Sequence, residues 1–175
     1  MEKGEIERKK GFTLVETMLV LAIAGLIFLM MFIAIPALNR TQRDSRRRDD
    51  ISIFLRRVKD YQTNNRGALP TGEGEAITRG SSSSSNWSGF YYDYLGESFN
   101  DPSGDAYKLT VADCGKSSIG AECSGALNDN TPFPSNLTIF KSATCDGGMA
   151  EQSSNPRKIA VQYRMEGGGV YCANT

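Results

Sequence analysis

The chain contains no histidine, which removes most zinc arrangements and every Ser-His or Cys-His nucleophile pair. No C-x-x-C pair is present to build a four-cysteine metal site, and no paired carboxylates stand in a recognisable catalytic motif. Gly167-Gly168-Gly169 lacks a phosphate-loop lysine and a following helix, so it reads as a turn. Asp101-Pro102-Ser103-Gly104-Asp105 and Asn128-Asp129-Asn130 lack the full ligand spacing of a calcium loop and read as turns too. An enzyme is therefore not expected, and neither is a cofactor or a metal. Net charge points to no partner, because 20 basic residues balance 20 acidic ones. Cysteine is missing from the first 113 residues, and the 27 residues from Phe12 to Leu38 hold one ionisable side chain, Glu16.

That long uncharged run is the most informative segment present. As a helix it would reach about 40 Å, more than the ~30 Å hydrocarbon thickness of a bilayer. It is too long for a secretory signal peptide, whose apolar stretch is about 7 to 15 residues and ends at a small-residue cleavage site. The four cysteines, Cys114, Cys123, Cys145 and Cys172, all lie on its far side. An even number there implies two disulfides in an oxidising compartment.

The run continues without a turn signal into Ile51, Phe54, Leu55, Val58 and Tyr61, a spacing that lays five apolar side chains along one helix face. One helix is expected to run from the membrane into the soluble part and to end at Asn64-Asn65-Arg66-Gly67, before Pro70. Pro36 cannot donate to the carbonyl of Phe32, which predicts a kink or local unwinding there. From 67 to 106 the sequence has no sustained period, and Ser81 to Ser85 reads as an exposed loop. Trp87, Phe90, Tyr91, Tyr92, Tyr94 and Phe99 should pin this region by aromatic packing. Strands are expected over 107–112, 137–140, 158–165 and 170–172, with residues 166–169 as a hairpin turn between the last two. An antiparallel sheet of three to four strands would then cover the apolar face of the helix, since neither element can bury its face alone. The expected fold class is α+β.

Around residue 11 the sequence is Lys9-Lys10-Gly11-Phe12-Thr13-Leu14-Val15-Glu16. It resembles the type IV pilin and pseudopilin family: a basic leader ending in glycine, then phenylalanine, then glutamate at the fifth position of the trimmed chain. The resemblance is close from Lys9 to Pro36, and in the rest of the chain it extends to architecture alone. It implies removal of residues 1–11 by the prepilin peptidase, which cuts between Gly11 and Phe12 and methylates the new amine. Residues 12–38 would be a transmembrane and filament-core helix, 39–66 its amphipathic continuation, 67–106 a variable loop, and 107–175 the sheet with a disulfide-bounded C-terminal region. The implied product is a helical homopolymer of this chain, a type IV pilus built by pilus assembly machinery, serving adhesion, twitching motility or DNA uptake. The precursor would sit in the cytoplasmic membrane and the polymer outside the cell, and no motif names a surface ligand. A pseudopilin, a minor pilin, or an anchored binding domain that never polymerises are the alternatives.

A carboxylate near a membrane-helix centre costs roughly 2.5 to 3.5 kcal/mol and less near the interface, so Glu16, one turn inside, needs a partner. The α-amine of a neighbouring Phe12 is the expected one, and methylation would keep its charge. Gly25 and Pro36 bracket a stretch where the helix would be weak. Many relatives have the proline three residues nearer the glycine, so extended backbone here would be longer. For the cysteines the favoured pairs are Cys145 with Cys172, which resembles the disulfide-bounded region of many pilins, and Cys114 with Cys123; the two other connectivities stay open.

Charge is unevenly placed. Residues 39–66 hold 9 basic and 4 acidic side chains, whereas 67–175 hold 7 and 12. Opposite signs suit packing between copies, or simply two solvated surfaces. Within the run of Arg40, Arg43, Arg46, Arg47 and Arg48, an Arg46–Asp50 pair is expected at i,i+4. This run opposes the positive-inside tendency, and the cysteines overrule that tendency because disulfides rarely persist in a reducing cytoplasm.

Overall fold

The computed structural model describes residues 11–72, 74–77, 86–96, 99–114, 118–127 and 136–175. Leader residues 1–10, the Ser81–Ser85 run and Asn128-Asp129-Asn130 lie outside the described residues. The chain divides into two units, Met1–Asn39 and Arg40–Thr175.

Helix α1 spans Leu14–Asn64. Thr13 and Glu16 open it: the Thr13 amide donates to Glu16 Oε2 at 3.0 Å, and the Glu16 amide donates to Thr13 Oγ1 at 3.3 Å. This reciprocal capping box satisfies two amides that the first helical turn leaves without carbonyl partners. Pro36 lies inside the helix and does not end it, and the helical assignment is continuous from Gly25 to Pro36. The end comes where the Asn-Asn-Arg-Gly signal placed it, with Arg66 and Gly67 at φ +56° and +83° and the Gly67 amide donating to the Gln62 carbonyl at 2.6 Å.

In the second unit the stripe of Ile51, Phe54, Leu55, Val58 and Tyr61 is buried, as its spacing predicts. It packs on the inner face of a five-stranded sheet, against Leu109, Val111, Leu137, Ile139, Ile159, Val161 and Tyr163. The strands are β1 (Gly74–Ile77), β2 (Lys108–Asp113), β3 (Asn136–Lys141), β6 (Ile159–Arg164) and β7 (Val170–Asn174), in that order across the sheet. Each large side chain removed from water here contributes about 1.5–3 kcal/mol.

The sheet is not wholly antiparallel. β2 and β3 run parallel, in register from Lys108↔Asn136 to Asp113↔Lys141, while the remaining pairs are antiparallel. Residues 165–169 close the β6–β7 hairpin: the Met165 amide donates to the Gly169 carbonyl at 3.0 Å, with Gly168 and Gly169 both at positive φ. A hairpin not foreseen from the sequence, β4 (Ala143–Asp146) and β5 (Met149–Gln152), covers the other face through Phe140, Ala143, Ala150 and Ala160. β3 and β6 are buried on both faces, and each carries a polar side chain inside, Thr138 and Gln162.

The aromatic side chains pack as expected, but the segment that carries them is helical instead of loop. A short helix α2 (Trp87–Phe90) and a π-helical turn (Tyr91–Leu95) carry Trp87, Phe90 and Tyr91 into the core. Phe54 receives them, edge-on to Phe90 at 5.7 Å and stacked on Trp87 at 6.4 Å. Tyr92 stays exposed.

Candidate functional site

Every described residue from Gly11 to Leu38 is exposed except Ala24, which is partly covered. Phe12 is 87 % exposed and Phe32 77 %, so this apolar surface is bare among the described residues. It is a single helix long and apolar enough to cross a membrane. Apolar area on this scale demands lipid or protein against it.

Glu16 is the one charge within it. Its Oε2 accepts from both the amide and the hydroxyl of Thr13, each at 3.0 Å, while Oε1 has no partner among the described residues. The carboxylate is thus fixed in direction by its own helix cap, with one oxygen free. Gly11 and Phe12 precede the helix, so the junction between them lies in non-helical backbone directly before the cap. Thr13 was not singled out in the sequence, although Thr-x-x-Glu before an apolar run is a capping-box signal that would have found it. Gly25 has open space where a side chain would stand, and Pro36 lies eleven residues on, in the same helix.

The disulfides join Cys114 to Cys123 and Cys145 to Cys172. The second ties β4 to β7, and the first closes a short loop beside Phe140.

A second cluster escaped the sequence reading. Asp50 does not pair with Arg46; it accepts from the Tyr107 hydroxyl at 2.9 Å. The buried cation is Arg47, 1 % exposed. Its guanidinium grips Asp101 with two parallel bonds, Nε to Oδ2 at 2.7 Å and Nη2 to Oδ1 at 3.0 Å. Nη1 reaches Asp44 at 2.9 Å and Glu166 at 3.1 Å. Arg43 forks onto both Glu166 oxygens. Asp44 in turn accepts from the amides of Glu166 and Gly167, at 3.0 and 2.8 Å. Helix α1, the β6–β7 turn and the loop at Asp101 are thereby held together by one charge network.

Burial pushes the Asp101 carboxyl up, but hydrogen bonds from Arg47, Ser103 and Tyr163 outweigh it and hold the group at about 2. The Arg43 hydrogen bond, helped by Arg47, likewise holds Glu166 at about 2. Burial disfavours the Arg47 cation, and its three carboxylate partners more than compensate, so its pKa is raised. Each of these carboxylates is occupied by donors of its own subunit, an arrangement that builds structure and presents no reactive group. Part of the opposite charge of the helical stem (39–66) and the head that follows it (67–175) therefore meets inside one copy.

Residues 7–32 match a family model described as the prokaryotic N-terminal methylation motif. No curated protein and no solved structure matches the chain.

Proposed function

We propose that this chain, whose residues 7–32 carry the type IV prepilin signal, belongs to the type IV pilin and pseudopilin family and is the repeating subunit of a type IV pilus. The observation that carries the reading is the Phe12–Leu38 segment: apolar, uncovered among the described residues, and holding one carboxylate with an oxygen that has no partner among them. Before assembly a membrane would cover that segment, and afterwards copies of the same helix. Cleavage between Gly11 and Phe12 frees an α-amine one residue before the Thr13 cap. An adjacent copy's amine would neutralise Glu16 in the water-poor filament core and set the axial register, while apolar packing supplies most of the association energy. Gly25 and Pro36 would mark where the core helix yields into extended backbone on assembly, because each weakens helix locally. Prepilin peptidase and an assembly machine are the partners this route requires, and no catalytic step falls to the chain itself.

The test combines imaging of sheared surface fibres with the mass of the mature N-terminus. Fibres built of this chain, beginning at methylated Phe12, are expected. Glu16→Gln should leave processing intact and reduce fibres at least tenfold; normal fibre numbers in that variant would overturn the role given to Glu16. A subunit processed but scarce in sheared material would move the protein to a pseudopilin or minor role.

A further inference from the structure

Arg40, Arg43, Arg47 and Arg57 are each ion-paired within the subunit. Three cations at the end of α1 are not. Lys59 lies on one helix face with Gln62 and Thr63, and Arg66, just past the helix end, and Arg157, from the β5–β6 loop, complete an open groove with them. None of the three forms an ion pair among the described residues, no carboxylate is among the described residues lining the groove, and all three are exposed. The carboxyl end of a helix favours cations, which accounts for Lys59 and Arg66. It does not account for Arg157, which is held there deliberately. Gln62 Nε2 donates to the Arg157 carbonyl at 2.8 Å, and the Arg157 amide donates to Asn155 Oδ1 at 2.9 Å. Its guanidinium lies over Gly67, 3.1 Å from where a β-carbon would stand. The cationic surface is therefore preformed.

The β4–β5 hairpin carries its complement. Glu122 and Glu151 face each other in an antiparallel bridge, and Glu151 is also paired with Thr144. Like charges directly opposite, with β-carbons roughly 4.5–5.5 Å apart, destabilise a strand pair. Strand alternation places Asp146 on the same face, since Thr144 and Asp146 point away from the buried Ala143 and Ala150. None of the three acids has an ion-pair partner among the described residues, and no metal-holding group of side chains occurs among them. A repulsive pair kept on an outer face is relieved by a cation from elsewhere.

We propose that the Lys59–Arg66–Arg157 groove of one copy docks the Glu122–Asp146–Glu151 face of a second copy of this chain. The contact is heterologous, one patch against a different one, and such contacts propagate into open helical filaments unless the rotation closes a ring. This inference rests on the filament reading and adds to the buried helix core an outer contact that salt should weaken.

The test uses the full chain expressed with assembly machinery, counting fibres against the pool of processed subunit. Arg66→Glu with Arg157→Glu, and separately Glu122→Lys with Glu151→Lys, should each lower fibre yield about tenfold while the N-terminus is still processed to Phe12. All four changes in one chain should recover at least half the yield. Should reversed variants not accumulate, Arg66→Gln with Arg157→Gln is the fallback; it should make fibres that fall apart at a lower salt concentration than the unaltered ones. Unchanged yield and salt resistance in the groove variants, or no recovery in the fourfold variant, would overturn the contact. So would normal yield coupled with lost binding of double-stranded DNA, which would assign the groove to phosphates. Absence of fibres from the unaltered chain would instead sink the filament reading itself.

Discussion

Replacing Arg47 by methionine keeps much of the side chain's length and removes its charge from the centre of the stem–head network. The Asp101 side chain, 1 % exposed, would lose both bonds of its bidentate grip and keep the Ser103 and Tyr163 donors. Breaking one side of a buried pair costs about 3–5 kcal/mol, because a desolvated charge remains. For scale, the net depression of Asp101 from 3.8 to about 2, to which Ser103 and Tyr163 also contribute, corresponds to about 2 kcal/mol at ~1.4 kcal/mol per pH unit. The larger figure also includes strain on Asp44 and Glu166. Trp87, the single tryptophan and fully buried, reports unfolding of this unit by its emission. In a urea titration of the detergent-solubilised chain, a loss of ~3 kcal/mol moves the midpoint down by about 1–3 M. Because the folded pKa values of Asp101 and Glu166 lie below their unfolded ones, their contribution is complete above about pH 4–5 and drains away as pH falls toward 2. The variant should show a flatter acid limb in that window. Arg47→Met with Asp101→Asn should recover part of the loss, since no buried charge is then left stranded. A midpoint within 0.3 M of the unaltered protein's (about 0.3–0.9 kcal/mol), or an unchanged acid limb, would refute the account.

Removing Cys145 and Cys172 together should cost about 3.5 kcal/mol by loop-closure entropy, and removing Cys114 with Cys123 about 2.5 kcal/mol; their separations are 27 and 9 residues. Equal losses in the same urea titration would contradict the loop-length argument. Gly148→Ala would set a β-carbon 2.7 Å from the Val170 carbonyl oxygen, so a loss of about 1–3 kcal/mol is expected, and none if the β4–β5 turn shifts freely.

The helix was legible because its signals are local and repeat: the stripe from Ile51 to Tyr61 has one period, and Asn64 to Gly67 ends it. The β6–β7 hairpin was legible for the same reason, with glycines between two apolar runs. Pairing between distant segments was not. Lys108 and Asn136 begin a parallel pair across 28 positions, and no local period distinguishes that from an antiparallel neighbour. Arg47 sits in a basic run that reads as solvated, and its burial depends on Asp101 and Glu166, 54 and 119 residues away. At the N-terminus Glu16 stood out as a charge in an apolar run. Thr13 did not, although it stands three residues before Glu16 in the order of a capping box, because the apolar run drew attention to the charge alone.

Strand β7 is the last in its sheet, and a bare rim of that kind invites foreign strands to add on. Here β4 packs alongside it, the Cys145 amide donates to the Asn174 side chain at 3.3 Å, and the Cys145–Cys172 link bolts the cover shut. For the filament subunit proposed above, this cover would close off a second mode of growth through the sheet. Reduction of that link is therefore expected to bare β7 and to favour strand-on-strand aggregation of crowded copies.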